Sequence, residues 1–274
     1  MDVRRHRRDL LRGALATAVA AGLPSLGRTA GDSPPVLGIV LPPASQTVPP
    51  EGPALYGGRL RFLARGLGIE RMTPADFDRA LQRLPEVATG LAAAGAEAIL
   101  VAGTSLSFYQ GEAYNRELCK VVERTTGLPC TTMSDGVIAG LAAVDARRIA
   151  VATAYNDDVN ARLAGFLREH GLEPLVVTGL GIEAMTDLEK VTPEDLRRFG
   201  RRVHASQPSA DALLLSCGGF RTLELVAPLE ADIGVPVVSS LPHALWAGAR
   251  LCGIDPAVPG HGRVLALSPR ARAP

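Results

Sequence analysis

The sequence predicts an α/β protein of two doubly wound, flavodoxin-like or Rossmann-like lobes. Each lobe carries a four-stranded parallel sheet, and a pseudo-twofold axis relates the two across an active-site cleft. Three observations predict this. From Val36 onward, short continuous apolar runs alternate with amphipathic stretches of helical length, the pattern of strands covered by helices on both faces. The second half of the chain repeats the plan of the first. Each half also closes on a Gly-x-Pro turn, Gly127-Leu128-Pro129 or Gly234-Val235-Pro236, followed by a helix rich in small residues, GVIAGLAA or ALWAGARL.

The elements follow in order. Val36–Leu41 (VLGIVL) is a buried strand stopped by Pro42-Pro43. A helix spans about Thr73 to Ala94, with Thr73-Pro74 as N-cap and first helical residue. Ala98–Ala102 (AILVA) is the next strand, ending at Gly103-Thr104-Ser105, and a helix over Gly111–Thr125 leads to the Gly-x-Pro turn. In the second half, Arg148–Thr153 (RIAVAT) matches the first strand, and Asp158–His170 is a helix. Ala212–Leu215 (ALLL) matches AILV and ends at Ser216-Cys217-Gly218-Gly219. Such duplication implies two similar βαβ halves, here 36–141 plus 246–274 for the first lobe and 142–245 for the second. Ligands of doubly wound sheets bind beyond the carboxyl ends of the strands. The turns at Gly103 and Cys217 therefore face each other across the cleft.

Composition narrows the function. The chain has 274 residues, 47% hydrophobic and 21% charged, with a net charge of +1, an ordinary globular balance. Aromatics make up only 4%, and no basic face interleaved with stacking rings is visible, so nucleic acid is not an expected partner. The four cysteines, Cys119, Cys130, Cys217 and Cys252, form no C-x-x-C pair and have no histidine at metal-ligand spacing. No disulfide framework and no metal site are expected. Residues 1–35 differ from the rest, with a basic cluster, then a modest apolar run from Gly13 to Leu26, then small and polar residues. This is the order of a signal peptide. Arg7-Arg8-Asp9-Leu10-Leu11-Arg12 resembles the twin-arginine export motif, with cleavage expected near Thr29-Ala30 and a periplasmic destination; without export the protein would stay in the cytoplasm. The apolar run is too short to span a membrane.

Cys217 is the sharpest chemical residue. It follows a buried strand and precedes two glycines, which allow a tight turn and expose backbone N–H groups. A helix expected to begin near Thr222 adds the positive end of its dipole. A thiol in this setting can give or take a proton; a packed small residue is the plainer alternative. Opposite, Thr104 and Ser105 supply hydroxyl and N–H donors, although the same residues could simply cap the next helix. Tyr155 ends the first strand of the second lobe and can donate its phenol to a carboxylate, or merely pack at an interface. Pro42 and Pro43 make a rigid apolar wall.

The stretches LPPAS (41–45), GTSLSFY (103–109), TGLPCTTMS (126–134), ATAYNDDVN (152–160), LLSCGG (214–219) and GVPVVSS (234–240) together resemble the arylmalonate decarboxylases. These belong to the aspartate/glutamate racemase superfamily, on its maleate isomerase-like branch. The similarity runs from Val36 to the C-terminus. GTSLSFY and ATAYNDDVN are its specific parts, whereas SCGG alone indicates only the superfamily. The resemblance implies removal of CO₂ from 2-aryl or 2,2-disubstituted malonates with no cofactor, and a catalytic cysteine matching Cys217. It implies donors matching Thr104, Ser105, Tyr155 and the backbone around Cys217 and Gly218, which stabilise an enediolate. The departing carboxylate would lie in an apolar pocket mapping to Ile69, Met72, Leu106, Ile182 and Met185. The aryl group would lie near Pro42, Pro43, Gly218 and Gly219. The thiol form of Cys217 would deliver the proton to one face.

Two-base racemases and maleate isomerases of the superfamily carry a second cysteine where this chain has Gly103, which argues against racemisation or isomerisation here. The other three cysteines read as structural. Phe77 stands where the family has tyrosine, Ala102 where it has a larger apolar residue, and Phe220-Arg221 where it has smaller or apolar ones. Gln46 and the segment Tyr56–Arg65 also differ. Arg221 could meet an anionic substrate, with a solvated helix position as the plainer reading. The alternatives to a decarboxylase are a maleate isomerase or racemase and, from another class, an exported carboxylate-binding protein. His170, His204, His243 and His261 form no triad in sequence; His243 is expected near the cleft or, more plainly, at the surface or a cap. A small carboxylate is the expected partner, and the oligomeric state is left open, a monomer included.

Overall fold

Eight strands are described, all parallel to their neighbours, in two four-stranded sheets of orders β2-β1-β3-β4 and β6-β5-β7-β8. The structure, a computed structural model, describes residues 33–69, 74–182, 184–188 and 190–268; most of the expected leader and Thr73 lie outside them. The first sheet contains β1 (Val36–Leu41), β2 (Arg61–Gly66), β3 (Ala98–Val101) and β4 (Cys130–Thr132). The second contains β5 (Arg148–Thr153), β6 (Glu173–Gly179), β7 (Ala212–Ser216) and β8 (Val237–Ser239). The same order occurs twice, as the sequence repeat requires. In each sheet the order in which strands are added reverses between the two inner strands, β1/β3 and β5/β7. The crevice that opens at such a switch point is where doubly wound folds bind ligands.

The inner strands are the continuous apolar runs, and β3 and β7 are buried at every position. The outer strands β2 and β6 are mostly half-buried. Sequence analysis assigned neither, nor α1 (Glu51–Tyr56), α7 (Met185–Leu188) or α8 (Pro193–Ser206). The signal for α8 was present: Thr192 and Asp195 form a reciprocal capping box, and Pro193 follows the cap. The expected helices are α2 (Pro74–Ala93), α4 (Gly111–Thr126) and α6 (Asp157–Glu169), with a short α3 (Thr104–Phe108) after the Gly103 turn. One expectation is corrected. The helix after Cys217, α9 (Val226–Ile233), starts four residues beyond Thr222, and Thr222 O accepts the N–H groups of Leu225 and Val226 in the turn that leads into it.

The helices α5 (Met133–Ala143) and α10 (Ser240–Leu251) lock the halves together. A Cβ on Gly136 would lie 2.5 Å from Ala244 Cα, and one on Gly140 3.0 Å from the His243 ring. The small residues thus permit helix contact at backbone distance. Helix α10 then lies on the first sheet, where Ala244, Leu245, Trp246 and Ala249 join Leu37, Ile39 and Leu100 in one buried cluster. Burying each large apolar side chain there contributes roughly 1.5–3 kcal/mol. The lobe boundaries drawn from sequence at 141/142 and 245/246 fall inside these two continuous helices. Residues from Pro34 on form a single compact unit. No described helix is long and apolar enough to cross a membrane.

Candidate active site

The carboxyl ends of β1, β3, β5 and β7 converge on one cavity of about 190 Å³. Its wall includes Pro42, Pro43, Ile69, Gly103, Thr104, Ser105, Leu106, Tyr155, Cys217, Gly218 and Gly219. Residues far apart in sequence and drawn from both repeats therefore meet. Ile182 does not line the cavity; it is half-buried against the main core, its N–H bonded to Ala154 O at 2.7 Å. Met72 and the Met185 and Phe77 side chains lie outside the described residues. Ala102, Leu41, Pro49, Met133 and Leu241 complete the wall. Sequence reasoning missed Leu41, Pro49, Met133 and Leu241: Leu41 ends β1 and reads as core, Met133 and Leu241 stand in the first turns of α5 and α10, and only Pro49 comes from a loop.

Cys217 is 6% exposed. Burial raises its thiol pKa to about 11, against the opposing pull of the Gly219 and Phe220 backbone N–H groups. The N–H donors expected after Cys217 are present, and desolvation outweighs them. The resting side chain near neutral pH is therefore the protonated thiol.

Tyr155 is the second centre. Its phenol lies within reach of the Ser216, Thr104 and Ser105 hydroxyls, and burial holds its pKa well above the ordinary value of 10.0. It keeps its proton and remains a donor. The Phe108 ring meets it edge-on at 5.7 Å. Its backbone is fixed by its own motif. Tyr155 N–H donates to Thr153 Oγ1 at 3.1 Å, Thr153 Oγ1 donates to Asn160 Oδ1 at 2.6 Å, and Asn160 Nδ2 donates to Tyr155 O at 3.4 Å. Asn156 caps α6 through the Val159 N–H. The stretch ATAYNDDVN is thus a strand end, a donor and a helix cap braced together. Gly179 closes the brace, since a Cβ there would sit 1.9 Å from Tyr155 O.

Thr104 Oγ1 donates to Ser240 Oγ at 2.9 Å and lies 3.1 Å from Met133 Sδ. The capping role weighed for Thr104 and Ser105 is not taken, because Gly103 holds the N-cap position and makes no side-chain cap bond. Ser107 Oγ bonds Gly103 O, Thr104 O and Ser134 Oγ, tying the turn to α5. Gly103 has φ +110°, and a Cβ there would meet Pro42 Cγ at 2.7 Å. The turn is packed shut against side chains as well as lacking one.

The other candidates fall elsewhere. Cys119 and Cys130 contact each other between α4 and β4, Cys252 packs at the end of α10, and none of the four cysteines is disulfide-bonded. His243 is fully buried beside α5, which corrects the surface reading, and it takes a capping role: its Nδ1 accepts the N–H of Ser239, the N-cap of α10, at 3.0 Å, and burial lowers its pKa to about 4. Arg221 is exposed, but in the non-helical segment before α9, so it is not a helix residue. No cluster of three or more His, Cys, Asp or Glu suited to a metal occurs among the described residues.

This arrangement has known counterparts. The family model described as "Arylmalonate decarboxylase" matches residues 37–265. An arylmalonate decarboxylase from Bordetella bronchiseptica is 43% identical over 233 residues, covering 85% of this chain and 97% of that protein. A crystal structure of a double mutant of arylmalonate decarboxylase in the liganded form superposes with a TM-score of 0.81 at 42% identity, covering 84% of this chain and 98% of that one. A maleate isomerase from Nocardia farcinica is 26% identical over 239 residues, covering 84% of this chain and 94% of that protein. With the family model spanning nearly all of the folded unit and the Bordetella relative aligned almost end to end, this chain belongs to the arylmalonate decarboxylase family.

Proposed function

We propose that this protein removes CO₂ from 2-aryl or 2,2-disubstituted malonates without a cofactor, giving 2-substituted carboxylic acids, with Cys217 as the proton donor. One carboxylate lies against Ile69, Leu106 and the neighbouring apolar wall, where an unpaired charge is poorly solvated. The other faces the hydroxyls of Thr104, Ser105 and Tyr155 and the N–H of Gly218. The bond from the α-carbon to the apolar-side carboxylate breaks, and CO₂ leaves. The electron pair passes into the α-carbon and the retained carboxylate, as an enediolate. Fixed donors stabilise the charge where it develops. The α-carbon then takes the thiol proton of Cys217. The resulting thiolate, held by the Gly219 and Phe220 N–H groups, recovers a proton from solvent. In sum, one malonate dianion and one proton give one CO₂ and one monoacid anion.

The observation that carries this reading is the protonated Cys217 facing a cavity whose opposite turn, Gly103, offers no second acid or base. A racemase or isomerase needs a group on each face, and Gly103 has no side chain to supply the second. The test is CO₂ release from phenylmalonate and 2-methyl-2-phenylmalonate, with no cofactor added, beside a Cys217→Ala variant. Release by the parent alone is the expected result. If neither protein acts while both bind the malonate, the carboxylate-binding reading takes its place. Export is a separate proposal, supported by Arg7-Arg8 and the apolar run behind it. Fractionation of expressing cells tests it, with an Arg7→Lys, Arg8→Lys variant retained in the cytoplasm.

A further inference from the structure

Two serines stand behind the donors of the cavity without lining it. Ser240 begins α10 and is 1% exposed; Ser216 ends β7, immediately before Cys217, and is fully buried. Ser240 Oγ receives the single hydroxyl proton of Thr104 at 2.9 Å. Ser216 Oγ lies beside the Tyr155 phenol, yet completes no hydrogen bond of normal geometry. It is one of three buried side-chain polar atoms without a partner among the described residues, with His204 Nε2 and His243 Nε2. A buried hydroxyl left unmade is costly, and alanine would fit the same space without that cost, so the serine calls for a reason.

A hydroxyl has one proton and two lone pairs. If Thr104 and Tyr155 turn their protons to a bound carboxylate, Thr104 no longer donates to Ser240, and both oxygens are left able to accept. Ser240 and Ser216 are the hydroxyls that can then donate to them. We propose that Ser216 and Ser240 are positioning residues, which donate to the Tyr155 and Thr104 oxygens as the charge on the substrate builds. Each cavity donor then becomes part of a two-hydroxyl chain aimed at the enediolate, and such chains polarise one another in a dry site. The effect grows with charge, so it acts on the chemical step more than on binding. The proposal rests on the decarboxylase reading.

The test is a pair of double-mutant cycles in the full chain, Ser216→Ala with Tyr155→Phe and Ser240→Ala with Thr104→Val, using phenylmalonate. Each serine variant is expected to lower kcat about 10-fold, from the loss of roughly one hydrogen bond's contribution, with KM within about threefold. The thermal midpoint should hold or, for Ser216→Ala, rise. In the Tyr155→Phe background Ser216→Ala should cost nothing further, and likewise for the second pair; conservative Ser216→Thr should restore part of kcat. Parental kcat in both serine variants, or losses that simply add to those of Tyr155→Phe and Thr104→Val, would overturn the proposal. So would losses that track a fall in thermal midpoint. Should the parent release no CO₂, the decarboxylase reading falls separately, and the cycles are then read from phenylacetate affinity by calorimetry. Non-additive losses there support the two chains, and additive ones refute them.

Discussion

Raising the pH is the most direct perturbation of Cys217. Only thiolate reacts with iodoacetamide. An ordinary cysteine, with a pKa of 9.0, is about 3% thiolate at pH 7.5, whereas at a pKa of about 11 the fraction is about 0.03%. Cys217 should therefore be alkylated about 100-fold more slowly than a small thiol of ordinary pKa, with a rate that climbs tenfold per pH unit through pH 10. The assay is alkylation followed by peptide mass spectrometry, which separates Cys217 from Cys119, Cys130 and Cys252. Decarboxylation should hold its rate through pH 9 and fall only as the thiol is lost near pH 11. Folding is linked to the same shift. The native state holds the proton between pH 9 and 11 while the unfolded chain has lost it, so stability present below pH 9 falls by about 3 kcal/mol as pH rises through 11. An alkylation curve that levels off at or below pH 8.5 would refute the reasoning. It would mean that the N–H groups of Gly219 and Phe220 outweigh desolvation and that the resting group is a thiolate.

Tyr155→Phe removes one donor to the developing oxyanion and should lower kcat about 100-fold with little change in KM; a matched rise in KM alone would show ground-state binding instead. Gly179→Ala drives a methyl to 1.9 Å from Tyr155 O; strain of about 1–3 kcal/mol is expected, read as a lower urea midpoint together with a lower kcat. His243 is buried neutral, so as pH falls from 6.5 to about 4 the unfolded chain takes up a proton that the fold does not, and roughly 3 kcal/mol of stability is lost. Urea melts of His243→Asn should lose that acid-side slope, and an unchanged slope would exclude this histidine. The product from 2-methyl-2-phenylmalonate should be a single enantiomer on chiral chromatography, because only one face of the cavity carries a thiol; a racemic product would contradict one-sided protonation.

What is legible in the sequence follows from burial. The inner strands are covered on both faces, so they appear as unbroken apolar runs, and the order of residues alone locates their ends. β2 and β6 are half-exposed and carry Arg61, Arg65, Glu173 and Pro174, which break the run that betrays a strand. The expected helix start at Thr222 falls one turn early: a turn over residues 223–225 leads into α9, which begins at Val226. The residues at strand ends, Thr104, Tyr155 and Cys217, were visible for the same reason the inner strands were. Ser216 and Ser240 were not. Their meaning depends on the first residue of α10 reaching α3 of the other repeat, and on the last residue of β7 reaching the turn after its neighbour β5, and no spacing in the chain encodes either contact.

The repeat also bears on the one-sided protonation proposed for Cys217. Duplication alone would make two like turns, yet each pair of matched positions has been driven apart. Cys217 faces Gly103, whose φ of +110° and closeness to Pro42 leave no room for a side chain without displacement. After the turns, Thr104 offers a hydroxyl where Gly218 offers only its backbone. The residues that open the two matched helices, Met133 and Ser240, both reach Thr104 Oγ1, at 3.1 and 2.9 Å, but one is a thioether and the other a hydroxyl. Met133 also packs over Gly218, 3.0 Å from where a Cβ would stand, which keeps that backbone dry. A symmetric frame thus holds an asymmetric set of groups: hydroxyl donors backed by serines in one direction, apolar walls in another, and a single acid. In the proposed reaction, charge is lost toward the apolar wall and received by the hydroxyls, and the proton returns from Cys217.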